Sequence, residues 1–367
     1  LGTSLPQLCQ SAGPRAVYDV GMALSDQALD EASLRADPVA DAAVVAMFTQ
    51  GVRGGDLLAA AKERQSSPAI AALLAEADRA PVNPEAMERT RRLVLRYAPP
   101  IGLALGLKAL PTLYALPEIA EALVATGRLI QHGERRMLET AEYLNQLTLP
   151  GGMRRDGVGH DATLRVRLLH AASRVRLRQA GWSRPTPPID QRACLFTLTV
   201  FSHSLRAGLT QLGGRLTAQE SLEHLAFWRH VGPVLGVEAG LIAEHPEEEA
   251  ALQDRLLRER AAPSEAGRAL TAALLGALAD RPPYRLSFAT LAALSRHLLG
   301  DPLAELLGIP KDGDSRRLRA GLALGQALLR AEAVVPGGRL FSQAFGRAFS
   351  NGVLAWRLRG PSEWEGG

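Results

Sequence analysis

Apolar residues recur at intervals of three and four along most of the chain, and caps and breakers bound the runs, as amphipathic helices require. Residues 1–36 are mixed in pattern and predict a partly ordered arm with a short helix. Asp37-Pro38 sets an acid at an N-cap and a proline in the first turn, opening a helix with Val39, Ala43, Val44, Met47 and Phe48. Short helices over 57–61 and 69–77 follow, and Asn83-Pro84 opens another that stops before Pro99-Pro100. The apolar stretch 101–116 reads as buried helix or pocket wall. Residues 118–149 are helical with a break near Gly127 or Gly133, and 159–180 form the next helix. A long apolar helix over 189–212 ends at Gly213-Gly214, and helices over 221–235, 247–260, 264–278, 286–299, 301–307 and 314–332 continue the pattern. A last helix and loose tail occupy 338–367. Alternating strand patterns are nearly absent and Asn351-Gly352 lies in a helical context, so the fold class is all-α. The expected organisation is one domain: an arm with short helices over 1–80, a core over 81–310, and C-terminal helices with the tail over 311–367.

The organising stretch is the helix from Gly159 to Arg174, where Leu164, Leu168 and Ala171 or Ala172 share a side. Into it the sequence inserts His170, with Arg167 three residues before and Arg174 four after. Positions i−3, i and i+4 are neighbours on a helix, so the three point roughly the same way. Neighbouring cations disfavour a charged imidazole. A neutral histidine suits a metal ligand, arginines suit acidic groups, and alanines at 171 and 172 let a flat, bulky cofactor approach the backbone.

Composition narrows the class without naming a chemistry. At 367 residues and 47% hydrophobic content the chain has ample core. The net charge is only +4 and the basic residues are interleaved with acids, with few aromatics, which argues against nucleic acid as a partner. Cys9 and Cys194 stand far apart with no CxxC, which excludes a cysteine-based zinc or iron–sulfur site and leaves one long-range disulfide open. No run of eighteen apolar residues predicts a membrane span. The chain begins at Leu1 without a methionine or a signal-like segment, as expected of a processed or truncated terminus, so the compartment is not readable.

Of the eight histidines, none forms an HExxH or HxH pair. His203 and His230 lie on apolar helices, as structural or pocket-lining residues, while His224 and His245 read as surface residues. Arg136 and Thr140 are one turn apart with Glu139 beside them. They form either a solvated edge with an ion pair or one wall of a polar pocket. His170 is likewise either a hydrogen-bonded core histidine or a ligand.

The blocks Ala125-Thr126-Gly127-Arg128, Arg135-Arg136-Met137-Leu138-Glu139-Thr140, Gly159-His160 and Arg165-Val166-Arg167-Leu168-Leu169-His170-Ala171 resemble the latex-clearing rubber oxygenase / MpaB oxygenase family of haem proteins. Pro188-Ile189-Asp190-Gln191, Phe227-Trp228-Arg229-His230-Val231-Gly232 and Leu235-Gly236-Val237 look like its downstream blocks. The likeness is strongest over residues 85–260. Its most specific part is an Arg-x-x-x-Thr, a spacing of thirty residues, and an Arg-x-x-His-Ala.

The resemblance implies haem b in a helical, globin-like core within 81–310, with His170 as the proximal iron ligand and Arg136 and Thr140 on the distal side. It implies dioxygen and an apolar, isoprenoid-like small-molecule or polymer substrate, and, with the rubber-degrading members as guide, a secreted or periplasmic setting. The rubber oxygenase pattern has a lysine, able to reach the iron in a closed state, where this chain has Glu139. That departure removes an amine ligand, sets a possible proton acceptor near the distal pocket, and bears on both the closed state and the polyisoprene substrate. A second distal acid falls at Glu118 or Glu121, and Glu121 is the choice. Arg136 would stabilise a partly anionic oxygen, Thr140 would relay a proton or hold water, and Glu139 would take an allylic proton. Arg167, Arg174 and Arg165 are candidate propionate partners, and His160 is either a supporting group or a helix-start residue. Residues 101–116 with Leu195, Phe196, Leu198 and Phe201 would line a substrate channel. The competing expectations are a haem monooxygenase or peroxygenase on another lipid, a haem- or gas-binding protein without turnover, and a helical protein with no cofactor.

Overall fold

The computed structural model describes residues 24–80, 83–125, 133–311, 315–335 and 337–357, and among these all regular structure is helical. Four short helices come first: α1 (Asp26–Leu34), α2 (Pro38–Thr49), α3 (Leu57–Glu63) and α4 (Pro68–Ala77). Side chains of Ser25, Asp37 and Asp56 accept from backbone amides at the starts of α1, α2 and α3, satisfying donors that a helix leaves open.

Next come α5 (Pro84–Arg96), α6 (Ala98–Ala104), a π-helical turn (Leu105–Ala109) and α7 (Leu110–Tyr114). α5 ends at Arg96, before Pro99 and Pro100, as the sequence predicts, and the two prolines open the next helix. They occupy the first turn of α6, where no intrahelical N–H is required. After α8 (Pro117–Ala125) and α9 (Gly133–Leu147) comes the organising helix, α10 (Val158–Gln179). The long apolar helix is α11 (Gln191–Thr199), a second π-helical turn (Val200–Ser204) and α12 (Leu205–Gln211). The chain closes with α13 (Ala218–Leu235), α14 (Pro246–Arg260), α15 (Glu265–Leu278), α16 (Phe288–Leu299), α17 (Asp301–Leu306), α18 (Ser315–Val334) and α19 (Gly338–Arg357). No single described helix is long and apolar enough to cross a membrane.

α10 packs against α2, α3, α9 and α13. Its flanks differ in kind, and the reason lies in the helical repeat. At 3.6 residues per turn, positions 167 and 174 both fall about 40–60° to one side of position 170. Two arginines that bracket His170 in sequence therefore share one flank in space. That flank faces α2 and is sealed. Arg167, about 1% exposed, donates from Nε to Asp37 Oδ2 at 2.7 Å and from Nη2 to Asp37 Oδ1 at 3.0 Å, and a further bond joins it to Glu76. Arg174, equally buried, donates from Nε to Asp41 Oδ1 at 2.6 Å. Burial alone would lower the pKa of the Arg167 guanidinium, but Asp37 and Glu76 more than offset it and hold the pKa above its ordinary value.

The end of α13 closes over this pair. Gly236 sits at φ 92, and a Cβ there would collide with Asp37 Oδ2, so the position needs glycine for its backbone and for its space. Gln191 ties the same region together, donating to the carbonyls of Ala36 at 3.0 Å and Gly236 at 2.8 Å. Asp37 therefore caps α2 and neutralises α10 at once. Asp37→Ala is expected to cost about 3–5 kcal/mol in urea unfolding, because Arg167 loses its main counter-charge. Arg35→Ala, which breaks an exposed pair with Glu238, should cost about 1 kcal/mol or less. Equal costs would contradict the role of the buried pair.

Candidate active site

On the other flank of α10 lies a cavity of about 410 Å³. α10 contributes Val166, Leu169, His170, Ser173, Arg176 and Leu177 to its wall, which runs along the helix from the interior to exposed Arg176. α8 supplies Glu118, Ile119, Ala122, Leu123 and Ala125, and α7 supplies Leu113. α11 and its cap supply Asp190, Ala193, Cys194 and Thr197, with Trp182, Pro187 and Ile189 from the preceding connector. Gly54, Gly55 and Leu57 bring the N-terminal segment into the wall, so it is part of the site and not only an arm. Alanines, glycines and a serine make up much of this lining, which keeps the space wide between helix backbones.

His170 is half-buried here, and Glu139, about 3% exposed, reaches the same cavity from α9. The structure thus brings together a histidine and an acid thirty-one residues apart in sequence. Thr140 is half-buried on α9 next to Glu139. Arg136 lies on α9, but its side chain is outside the described residues, as are Thr126, Gly127 and Arg128.

Several expectations change. Glu121 points away from the cavity, paired with Arg184 through two bonds of 2.7 Å, and Glu118 is the acid of α8 that lines it. Glu118 is steadied by Arg260 at 3.3 Å. Arg167 and Arg174 are held by Asp37, Glu76 and Asp41, and Arg165 pairs with Asp56, and none of the three lines the cavity. His160, near the start of α10, is buried outside the cavity with Nε2 3.9 Å from Asp78. Of the proposed channel residues outside 101–116, Leu195, Phe196 and Leu198 are core, and Phe201 stacks on Trp228 with centroids 6.0 Å apart. His224 is not at the surface: it is buried against Arg206 and Trp228, and burial, with Arg206 beside it, drives its pKa well below the ordinary histidine value. His245 is exposed, as expected.

Sequence reasoning missed Asp190, Cys194 and Arg176 as cavity residues. The signal for Asp190 was present, since an acid before an apolar helix is an N-cap, and its side chain does accept from the Ala193 amide at 2.8 Å. Burial nevertheless pushes its carboxyl up to about 6, against the pull of that amide and of Arg192. Ile189 before it holds φ 54, a left-handed backbone that a β-branched residue adopts only under constraint. Its carbonyl receives the Arg174 Nη1 at 3.4 Å, so the arginine flank also shapes the cavity floor. Burial pushes the Cys194 thiol up to about 12, which keeps it protonated and unreactive at neutral pH.

The raised Asp190 pKa has a consequence for stability. Between the ordinary value of 3.8 and about 6 the folded chain holds a proton that the unfolded chain has released, so stability falls as pH rises through that window. Asp190→Asn keeps a capping side chain and removes the dependence. Wild type should lose up to roughly 3 kcal/mol relative to the variant between about pH 4 and pH 7, read from urea unfolding at each pH. Parallel curves would contradict the assignment.

Comparison with known proteins bears on the whole arrangement. Residues 95–331 match the family model described as the ER-bound oxygenase mpaB/B'/rubber oxygenase catalytic domain. No curated protein matches the chain. A solved structure of latex clearing protein LCP in the closed state is similar in fold, with a TM-score of 0.62, 20% sequence identity, and coverage of 87% of this chain and 91% of that one. The matched range contains α8 to α17, and with them most of the cavity wall and the helices carrying Glu139 and His170. The chain therefore belongs to the mpaB/rubber oxygenase catalytic-domain family.

Proposed function

We propose that this chain is a haem b-dependent oxygenase that oxidatively cleaves a carbon–carbon double bond in an apolar, isoprenoid-like substrate. The observation that supports the reading most is that His170 and Glu139 line one largely apolar cavity between helices of the family-matching segment.

The residues present fit such a group. Among the described residues no three His, Cys, Asp or Glu side chains gather to hold a metal, so a metal at His170 takes its remaining ligands from a cofactor. His170 would hold the iron of a porphyrin, and that group would supply the dioxygen chemistry of the site. The protonated Cys194 thiol is a poor competitor for iron. Ala122, Ala172, Ser173 and Ala193 leave room for a flat ring, and a cavity of about 410 Å³ lies in the range of cofactor pockets. Arg176, exposed on the wall, is the α10 arginine proposed to meet anionic propionates, the role first expected of Arg167, Arg174 and Arg165.

When bound, haem would supply dioxygen activation, and the protein's own residues do the rest. His170 holds the cofactor from α10. Leu113, Ile119, Leu123 and Leu169 exclude water and take up an apolar chain. Glu139, buried on α9, is the proposed acceptor of an allylic proton, and Glu118 is a second acid on the same wall. Arg136 and Thr140, on the helix that carries Glu139, are the proposed distal donors. A carboxylate where the rubber oxygenase pattern has lysine also fits oxygen insertion into another lipid without cleavage.

Oxygen uptake by the haem-loaded chain with squalene or a polyisoprene emulsion, with carbonyl products detected, tests the reading. Glu139→Gln should lower the rate by about 10²–10⁴-fold while haem remains bound. Glu121→Gln should leave it within about twofold, since that acid faces Arg184. A fully active Glu139→Gln enzyme would remove the base from the account. Oxygen uptake that yields hydroxylated products and no carbonyls would favour insertion over cleavage.

A further inference from the structure

The chain's net charge is +4, yet residues 315–357 alone carry seven arginines and one glutamate. This segment is α18 and α19, two helices in contact and joined across residues 335–337. Half of the large apolar side chains that stand exposed among the described residues are on it. α18 exposes Leu324 and Leu328, one turn apart, and α19 exposes Leu340, Phe341 and Phe345. Phe341 and Phe345 stack with centroids 6.4 Å apart, and they are 73% and 52% exposed. Arg330, Arg339 and Arg347 are exposed beside these residues.

The inner faces of both helices are anchored. α19 packs on α5, α6 and α9, and its buried Gly346 lies so close to the Leu95 carbonyl that a Cβ would collide with it. Phe349 meets Tyr284 with centroids 6.0 Å apart, and α18 packs on α16. The exposed leucines and phenylalanines are therefore the outer face of docked helices, held out by their inner contacts.

We propose that the outer face of α18 and α19 docks on an anionic lipid surface, with the apolar stripe in the acyl boundary and the arginines at the headgroups. Apolar residues flanked by arginines, in a segment almost without acids, are the composition of interfacial helices. Each arginine near an anionic surface adds to the binding, and the aromatic and leucine side chains bury apolar area. A second copy of the chain is disfavoured as occupant, because it would set arginine against arginine. A neutral apolar surface would leave the arginines without a partner.

Flotation of the full chain with phosphatidylcholine vesicles, with and without phosphatidylglycerol, tests the proposal. Wild type should bind the anionic vesicles, be released as salt rises, and bind neutral vesicles at least roughly tenfold more weakly. The paired substitutions F341S/F345S and R339E/R347E alter exposed side chains and should keep the wild-type circular dichroism, and each should cut binding roughly tenfold or more. Equal binding to neutral and anionic vesicles would overturn the proposal, as would unchanged binding by both folded variants. Absence of vesicle binding by wild type overturns it too. A dimer that forms without vesicles present and is abolished by F341S/F345S, with no vesicle binding, would assign the face to a second copy instead.

Discussion

Burying a guanidinium costs several kcal/mol unless a carboxylate meets it, and α10 buries two. Asp37 and Asp41, one turn apart on α2, meet Arg167 and Arg174 on one flank of α10 and fix how that helix can turn about its axis. The opposite flank is then committed to the cavity, with His170 on its wall. Gly236 lets the end of α13 close over the pair, Gln191 bonds its carbonyl, and Leu235 joins the cavity wall from the same turn. A rotation of α10 large enough to hide His170 would also pull two arginines off their acids. The ion pairs thus set the orientation of the proposed ligand from outside the cavity lining, with Arg174 also bonding the Ile189 carbonyl of its floor.

Much of the fold was legible in the sequence because helix ends are local events. Asp37-Pro38, Asn83-Pro84 and Ile189-Asp190 all mark starts where the side chain caps as its type predicts. Pro99-Pro100 likewise marks the end of α5, and the same prolines sit in the first turn of α6. The two π-helical turns, Leu105–Ala109 and Val200–Ser204, left no readable mark, because one extra residue in an apolar run barely alters its pattern.

The site was legible in part. The family resemblance implied that Glu139 and His170 face a common space, and the structure lines one cavity with both. What the sequence could not show was which element meets the flank that Arg167 and Arg174 share, or the acids waiting on α2, more than 120 residues away. Adjacent acids on α8 were separable only in three dimensions: Glu118 reaches the cavity and Glu121 reaches Arg184. His224 read as a surface residue because its partner Arg206 lies on another helix, and only packing makes the pair a buried one.

The central claim is that the arginine flank aims the His170 imidazole at a cofactor in this cavity. Spectroscopy of the haemin-reconstituted chain and of His170→Gly, with and without added imidazole, tests it most directly. The account predicts a stable Soret band in the wild type, its loss in His170→Gly with the helical signal intact, and its return when imidazole fills the space left by the side chain. An undiminished Soret band in His170→Gly without imidazole would contradict it, as would a wild-type chain that retains no haem.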